Sequence, residues 1–349
     1  MMRPAETSKS VILKFSSDLK LRRRFLITDE EIPGNMRWGR LLEVLDKLAE
    51  DIALEYVQKQ NKNAKVVTAA VDDIMLRDPV DIQQDLFLDA RINYVGRTSM
   101  EVGIRVGQGG ESLASCYFTM VARIEENGKV RSLPIEPLEY VDEIEKRRYQ
   151  SAIDRRENYR KQLDALQRPP SEEEYQLLME LHRAQDQPDF DGILVGDLVR
   201  GSWERMFPEQ ENVPEKIFGG YVIRRAFELA MMHAEELAPD RPVFVRVNRI
   251  NFHQPVRIGD KLDFTSRITY TGKTSLTIEI SIERITRDKV SRALTNKCIF
   301  TFVNVDEQMN PRPVPQVYPT TYGEDERYLK AHRRRQEYKQ WREKVKRKS

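Results

Sequence analysis

The sequence predicts an α+β chain built from two copies of one domain, each a long helix followed by about five antiparallel strands able to wrap it. Three observations predict this: an internal repeat, a helical-period apolar stretch at the head of each copy, and period-two alternation in the segments that follow. The repeat comes first. Val71, Ile74, Pro79 and Val80 reappear as Val247, Ile250, Pro255 and Val256, a shift of 176 residues (79 to 255). The same shift maps Arg91-Ile92 onto Arg267-Ile268, Tyr94 onto Tyr270, Gly96 onto Gly272 and Thr98-Ser99 onto Thr274-Ser275. Further on, Cys116-x-Phe118-Thr119 matches Cys298-x-Phe300-Thr301 at a shift of 182, and upstream Trp38-Gly39 lines up with Gly219-Gly220 at a shift of 181.

The elements follow in order. Apolar residues at Trp38, Leu41, Leu42, Leu45, Leu48, Ala49, Ile52, Ala53 and Tyr56 recur with helical period. In the second copy Val222, Ile223, Ala226, Phe227, Leu229, Ala230 and Leu237 do the same. TSMEVGIRV (98–106) and TSLTIEISI (274–282) alternate as half-buried antiparallel strands do, behind turns at 95–97 and 271–273. Segments 112–124 and 294–305 supply last strands. The expected domains are 1–139 with an N-terminal extension, a charged connector at 140–190, a second copy at 191–317 and a tail at 318–349. The connector reads as two exposed helices, 143–166 and 171–184, split by Arg168-Pro169-Pro170. The tail, with Arg333-Arg334-Arg335 and a basic end, reads as a frayed, solvated helix.

Composition removes several function classes. Lys plus Arg (58) nearly cancels Asp plus Glu (56), leaving a net charge of +2 and no global case for nucleic acid. No window approaches the roughly 20 apolar residues of a membrane span. The two cysteines lack CxxC spacing, which fits a reducing compartment, and the expected location is the cytoplasm. The four histidines are scattered without HExxH, so no metal is expected, and no GxSxG elbow or phosphate-binding GxxxxGK[ST] occurs. Gly107-Gln108-Gly109-Gly110 joins two strands and reads as a hairpin turn. Cys116 and Cys298 hold the same position in the two copies, as core residues would.

What remains is the start of each repeat helix, at Gly34 to Gly39 and Lys216 to Gly220. Free N–H groups and the positive end of the helix dipole make such a place suited to an oxyanion. Tight packing explains the glycines equally well.

Asn35 four residues before Gly39, Asp46 seven residues after it, and strands carrying Gly-[Arg/Lys]-Thr-Ser resemble the hotdog-fold acyl-CoA thioesterases. The two-copy layout, with Ile217-Phe218-Gly219-Gly220 and Arg224 to Leu229, is similar to the mitochondrial-type double-hotdog members. The likeness spans about Arg22 to Pro137 and Leu198 to Val314. It implies a tandem hotdog, acyl-CoA as substrate, no cofactor, homo-oligomers of double-hotdog units, and the mitochondrial matrix as a second location. It further implies two composite sites, each with an Asn from before one helix, an acid from the middle of the other, and backbone N–H groups at the glycine end.

Carried over, Asn35 matches the Asn and Asp46 the acid, with Gly39, Gly219 and Gly220 as oxyanion glycines. The second copy departs: Lys216 stands for the Asn, and Phe227 for the acid, with Glu228 one residue later and about 100° around the helix. Asp46 with Gly219-Gly220 is therefore the favoured site, and Glu228 a further candidate acid. Arg97 and Lys273, in the shared turns, are candidate contacts for a coenzyme A phosphate or solvated strand-end charges. The alternative reading is a non-catalytic acyl-CoA-binding or interaction protein on the same scaffold.

Overall fold

In each half of the chain, one helix lies on the concave face of one sheet, and the two helices pack against each other. The computed structural model describes residues 2–126, 128–213, 216–217, 219–288 and 291–346, with the side chains of 160, 210–213, 216–217 and 344–346 excepted. The helices are α1 (Leu19–Phe25), α2 (Trp38–Gln58), α3 (Glu143–Gln167), α4 (Glu172–Gln185), α5 (Gly219–Ala234) and α6 (Tyr322–Lys346). The principal strands are β1 (Lys9–Leu13), β2 (Lys65–Val71), β3 (Ile74–Met75), β4 (Leu86–Val95), β5 (Ser99–Gln108) and β6 (Glu111–Glu126) in the first half. In the second they are β7 (Val199–Arg205), β8 (Pro242–Val247), β9 (Ile250–Asn251), β10 (Lys261–Thr271), β11 (Ser275–Ile285) and β12 (Arg292–Asn304).

Sheet one runs β1-β4-β5-β6-β2-β9 and sheet two β3-β8-β12-β11-β10-β7. Each copy thus lends a short strand to the other's sheet. Ile250 of β9 pairs with Val71 of β2, and its repeat counterpart Ile74 of β3 pairs with Val247 of β8. The bulges repeat too: register breaks fall at Thr68/Ala70 and Ile92/Tyr94 in sheet one, and at Phe244/Arg246 and Ile268/Tyr270 in sheet two. Conserving a bulge at both positions keeps the same residues aimed inward in both copies, since a one-residue slip would turn each strand over. The tandem hotdog implied by the resemblance is the architecture observed.

Leu41, Leu45, Leu48 and Ile52 on α2, and Val222, Ala226 and Ala230 on α5, are buried in one continuous core. Gly39 lets the helices approach: a Cβ there would sit 3.1 Å from the Arg224 backbone oxygen on α5. Gly109 and Gly110, both at positive φ, turn the β5–β6 hairpin. Cys116 and Cys298 are buried, and burial pushes both thiols up to about 12.

The connector forms two helices; α3 is mostly exposed, whereas α4, expected to be exposed as well, buries Glu174 and Leu181 and packs Leu177 and Leu178 against the core. The tail differs from its expectation. Tyr328, Leu329 and Ala331 are buried, Tyr328 packs edge-on against Tyr270, and Arg333 forms ion pairs with Glu174 of α4. Three apolar residues inside a charged run are enough to dock the front of α6, and the surrounding charges mask that stripe in the sequence. Among the described residues no helix is long and apolar enough to cross a membrane.

Candidate active site

The two sheets stop pairing at Ala70–Asn251, where one further bond, from Phe252 N to the Ala69 carbonyl, closes the seam. Beyond it, the edge of β2 and the segment 252–256 diverge around a cavity of about 250 Å³. Val67, Thr68, Gly219, Phe252, His253 and Asn296 are among its lining residues. It opens beside the start of α5.

Asp46, on the third turn of α2, does not itself line this cavity but lies directly behind two residues that do, Thr68 and Gly219. Its side chain is 0% exposed, and its Oδ1 accepts a hydrogen bond from Thr68 Oγ1 at 2.6 Å. No described group completes a hydrogen bond to Oδ2. A Cβ on Gly219 would come 3.0 Å from the Phe252 ring, which it would crowd, and 3.4 Å from that oxygen, an ordinary contact that shows how near Oδ2 lies to the start of α5. Burial pushes the carboxyl from an ordinary 3.8 up to about 7; the Thr68 hydroxyl and the Gly220 amide pull less strongly the other way, and Glu50 adds a further upward push. A buried carboxyl with one oxygen held, one oxygen open and a pKa near neutrality has the properties of a general base. Facing it is the first turn of α5, with its free N–H groups.

The counterpart position in the other half is filled. The repeat puts Phe227 where Asp46 stands, Phe244 where Thr68 stands and Trp38 where Gly219 stands. All three are buried, with ring centroids 5.3 Å apart for Trp38–Phe244 and 5.4 Å for Phe227–Phe244; Phe300 and Phe302 close the cluster. Burying side chains of this size contributes about 1.5–3 kcal/mol each. The second seam is covered as well. Gly34, at φ +79°, lies so close to Val243 that an added Cβ would be 3.1 Å from both its methyl groups.

Asn35 stitches that cover. Its amide nitrogen donates to the Thr28 carbonyl, the Thr28 hydroxyl and the Glu30 carbonyl, and its oxygen accepts from Thr28 N. Glu228 sits eight residues beyond Gly220, about 12 Å along α5. It ion-pairs with Arg37 at the start of α2 and with Arg224 and Arg225. Burial alone would raise its pKa, but the three arginines outweigh it and hold the carboxyl below its usual range. The structure therefore brings Asp46, Gly219 and Gly220 together, and places Asn35, Gly39 and Glu228 around the filled counterpart. Lys216 pairs with Val213 through its backbone, and its side chain lies outside the described residues. Arg97 and Lys273 are exposed at their turns and are not among the residues lining the cavity beside Thr68 and Gly219. Among the described residues no three His, Cys, Asp or Glu side chains gather as a metal site.

Thr68, Phe252, His253 and Asn296 were not apparent from residue patterns. A signal for Thr68 did exist. The two partners of a buried polar pair, Asp46 and Thr68, are both phenylalanine in the other copy, a correlated change visible once the repeat is aligned.

The Thioesterase superfamily profile matches residues 39–115 and 216–291. The chain is 30% identical over 344 residues to acyl-coenzyme A thioesterase 9, mitochondrial, of Homo sapiens, covering 93% of this chain and 75% of that protein. It is 30% identical over 354 residues to acyl-coenzyme A thioesterase 2, chloroplastic, of Humulus lupulus, covering 93% and 79%. Among solved structures, an acyl-CoA hydrolase from Staphylococcus aureus in complex with butyryl coenzyme A, coenzyme A and coenzyme A disulfide is 25% identical, with a TM-score of 0.41, covering 44% of this chain and 94% of that one.

Proposed function

The chain belongs to the acyl-CoA thioesterases of the thioesterase superfamily, and on that footing we propose that it hydrolyses acyl-CoA at one composite site per chain, with Asp46 as general base. The observation that carries this is a fully buried Asp46 with Oδ1 held by Thr68 and Oδ2 turned toward the glycine start of α5, where the Gly220 amide acts on it. The thioester enters at the seam with its carbonyl oxygen toward the α5 N–H groups. Asp46 Oδ2 takes a proton from water as the water oxygen bonds to the carbonyl carbon. Negative charge moves to the carbonyl oxygen, where each preorganised donor is worth about 3–4 kcal/mol. Collapse of the tetrahedral intermediate breaks the C–S bond, and the Asp46 proton passes to the departing thiolate. Acyl-CoA and water become free acid and coenzyme A. Thr68 orients the carboxylate and keeps its pKa from rising further.

Thiol release from short-, medium- and long-chain acyl-CoAs, with the free acid identified, tests the reading. Turnover of at least one substrate supports it; acyl-CoA bound but never cleaved would leave a binding protein. The domain limits drawn from the sequence belong to the same proposal, as does association of double-hotdog units. The latter is supported by Trp203, 61% exposed on the edge strand β7, a typical site of further association. The names of the relatives support an organellar location beside the cytoplasmic one.

A further inference from the structure

The internal repeat extends past the sheets into the helices that follow them. α3 and α6 are both 25 residues long. A shift of 179 (145 to 324) maps Glu145 onto Glu324, Tyr149 onto Tyr328, Ala152 onto Ala331, Arg155-Arg156 onto Arg334-Arg335 and Tyr159 onto Tyr338. The contacts repeat with the residues. Glu145 and Glu324 each accept a backbone N–H just ahead of their helix, from Val141 and from Thr320. Tyr149 packs on Tyr94 at the end of β4, with ring centroids 5.5 Å apart, and Tyr328 on its counterpart Tyr270 at 4.9 Å. Arg156 lies over the Tyr94 ring and Arg335 over the Tyr270 ring. Each copy therefore carries a strap that starts beside its own shared turn. In the first copy the strap crosses β5 and β6, where Arg155 ion-pairs with Glu101 and lies 3.5 Å over the Tyr117 ring.

The far ends of the two straps differ. Tyr159 reaches β9, the strand that the second copy lends to sheet one. Its hydroxyl accepts a hydrogen bond from Asn251 Nδ2 at 2.7 Å, and the Arg249 guanidinium lies 4.1 Å over its ring. Arg249 Nε donates to Asn251 Oδ1 at 3.1 Å, which fixes the amide with its nitrogen toward Tyr159. The filled half has lost this contact. Met75 stands for Asn251 there and has no donor to offer a hydroxyl. Tyr338 makes no hydrogen bond among the described residues and stacks on Trp341 instead. Asn251 is also where the open seam is built. Its carbonyl accepts from Asn296 Nδ2 at 3.1 Å, and Asn296, which is Ala114 in the other copy, lines the cavity beside Thr68 and Gly219. The next residue, Phe252, bonds through its N–H to the Ala69 carbonyl and sets its ring against Gly219, and His253 N–H bonds to the Thr295 carbonyl.

We infer that Tyr159 is a positioning residue for hydrolysis: through Asn251 it fixes the segment 251–253, and with it the wall that holds the thioester in line with Asp46. The inference rests on the proposed hydrolysis at Asp46. It gives the helix between the two sheets a part in the reaction without contact with the substrate. A fixed wall matters because a reacting group misplaced by about 1 Å loses about 10²-fold in rate. The polar lock stands at the open seam, and its counterpart is gone where the site is filled with aromatic rings.

The test removes one oxygen from the full-length chain. Tyr159→Phe keeps the ring under Arg249 and deletes the hydroxyl; Tyr338→Phe makes the same change in the filled half. Amide hydrogen exchange is followed across 251–256 and across the repeat counterpart 75–80. Thiol release is measured with the best acyl-CoA substrate and with one of markedly longer chain. In Tyr159→Phe, exchange across 251–256 should speed about tenfold while 75–80 stays unchanged. Its kcat/KM on the best substrate should fall about tenfold, and its discrimination between the two chains should shrink about threefold. A smaller folded fraction would lower both substrates alike and leave their ratio unmoved. Tyr338→Phe should keep wild-type exchange, turnover and ratio. Asn251→Leu should reproduce the loss, and the double variant with Tyr159→Phe should fall no further. Unchanged exchange across 251–256 would overturn the inference. So would an unmoved ratio, an equal loss in Tyr338→Phe, or single losses that multiply in the double variant. Turnover retained in Asp46→Asn would sink the catalytic reading instead, and the exchange data, which need no turnover, tell the two failures apart.

Discussion

Replacing Asp46 by Asn should stop hydrolysis and raise thermal stability in a pH-dependent way. The substitution keeps the shape and still offers an oxygen to Thr68, so the perturbation is the loss of a titratable group. Folding carries the carboxyl from 3.8 to about 7. At about 1.36 kcal/mol per unit, the ionised carboxylate costs the folded state about 4 kcal/mol above pH 7. Below pH 4 the carboxyl is protonated in both folded and unfolded chains, and no cost exists. The cost grows between those limits, because the unfolded chain has ionised while the folded one keeps its proton. The stability contributed by the protonated form is thus lost as pH rises through the folded value. For 349 residues, at about 2.1 cal/mol/K per residue of unfolding entropy, the Tm gap between variant and wild type should widen by about 3–4 °C from pH 5 to pH 8. The widening does not depend on any fixed cost of the new amide. Melts at the two pH values are paired with thiol release, which should fall by about 10²–10⁴-fold. A gap that stays constant or narrows with pH would refute the burial argument, and retained turnover would refute the role.

Thr68→Ala removes the hydroxyl that donates to Oδ1, so the acidic limb of the kcat/KM profile, expected near pH 7 in wild type, should move up by about one to two pH units. Gly219→Ala sets a methyl 3.0 Å from the Phe252 ring and 3.4 Å from Asp46 Oδ2; kcat/KM should drop at least about tenfold while the melt changes little. Asn35→Ala frees the cover at Thr28–Glu30 and should lower stability by about 1–3 kcal/mol in denaturant melts, with acyl-CoA turnover retained. Phe227→Asp places a carboxyl among Phe244, Phe300 and Phe302; a loss of about 3–5 kcal/mol and no gain in hydrolysis are expected.

Much of the architecture was legible because the repeat constrains it twice over. Any element read in one copy is tested by the other, as with the paired turns at Gly96 and Gly272. The swap of β3 and β9 between sheets was not legible, since two-residue strands carry no periodicity of their own. Gly219-Gly220 were readable from the helix start, and Asp46 from the family resemblance, by its place seven residues after Gly39. The closure of the second site was only half readable: Phe227 in place of an acid suggested a missing group, whereas its aromatic neighbours come from strands 17 and 73 residues further along the chain at Phe244 and Phe300. Asn35 shows the limit of motif reasoning. Its spacing matches a functional asparagine, yet every hydrogen-bonding atom of its side chain is engaged in its own loop. The tail was underread because its docking residues are few, and because a basic face turned toward a sheet looks, in sequence, like one turned toward water.

The central claim is a single working site built on Asp46. It is tested most directly by thiol release from the best acyl-CoA substrate for wild type, Asp46→Ala and Glu228→Ala measured side by side, each shown folded by its melt. Hydrolysis lost in Asp46→Ala and kept in Glu228→Ala is the predicted result. Hydrolysis kept in Asp46→Ala, or lost in Glu228→Ala with the fold intact, would place the chemistry in the half of the molecule read here as filled.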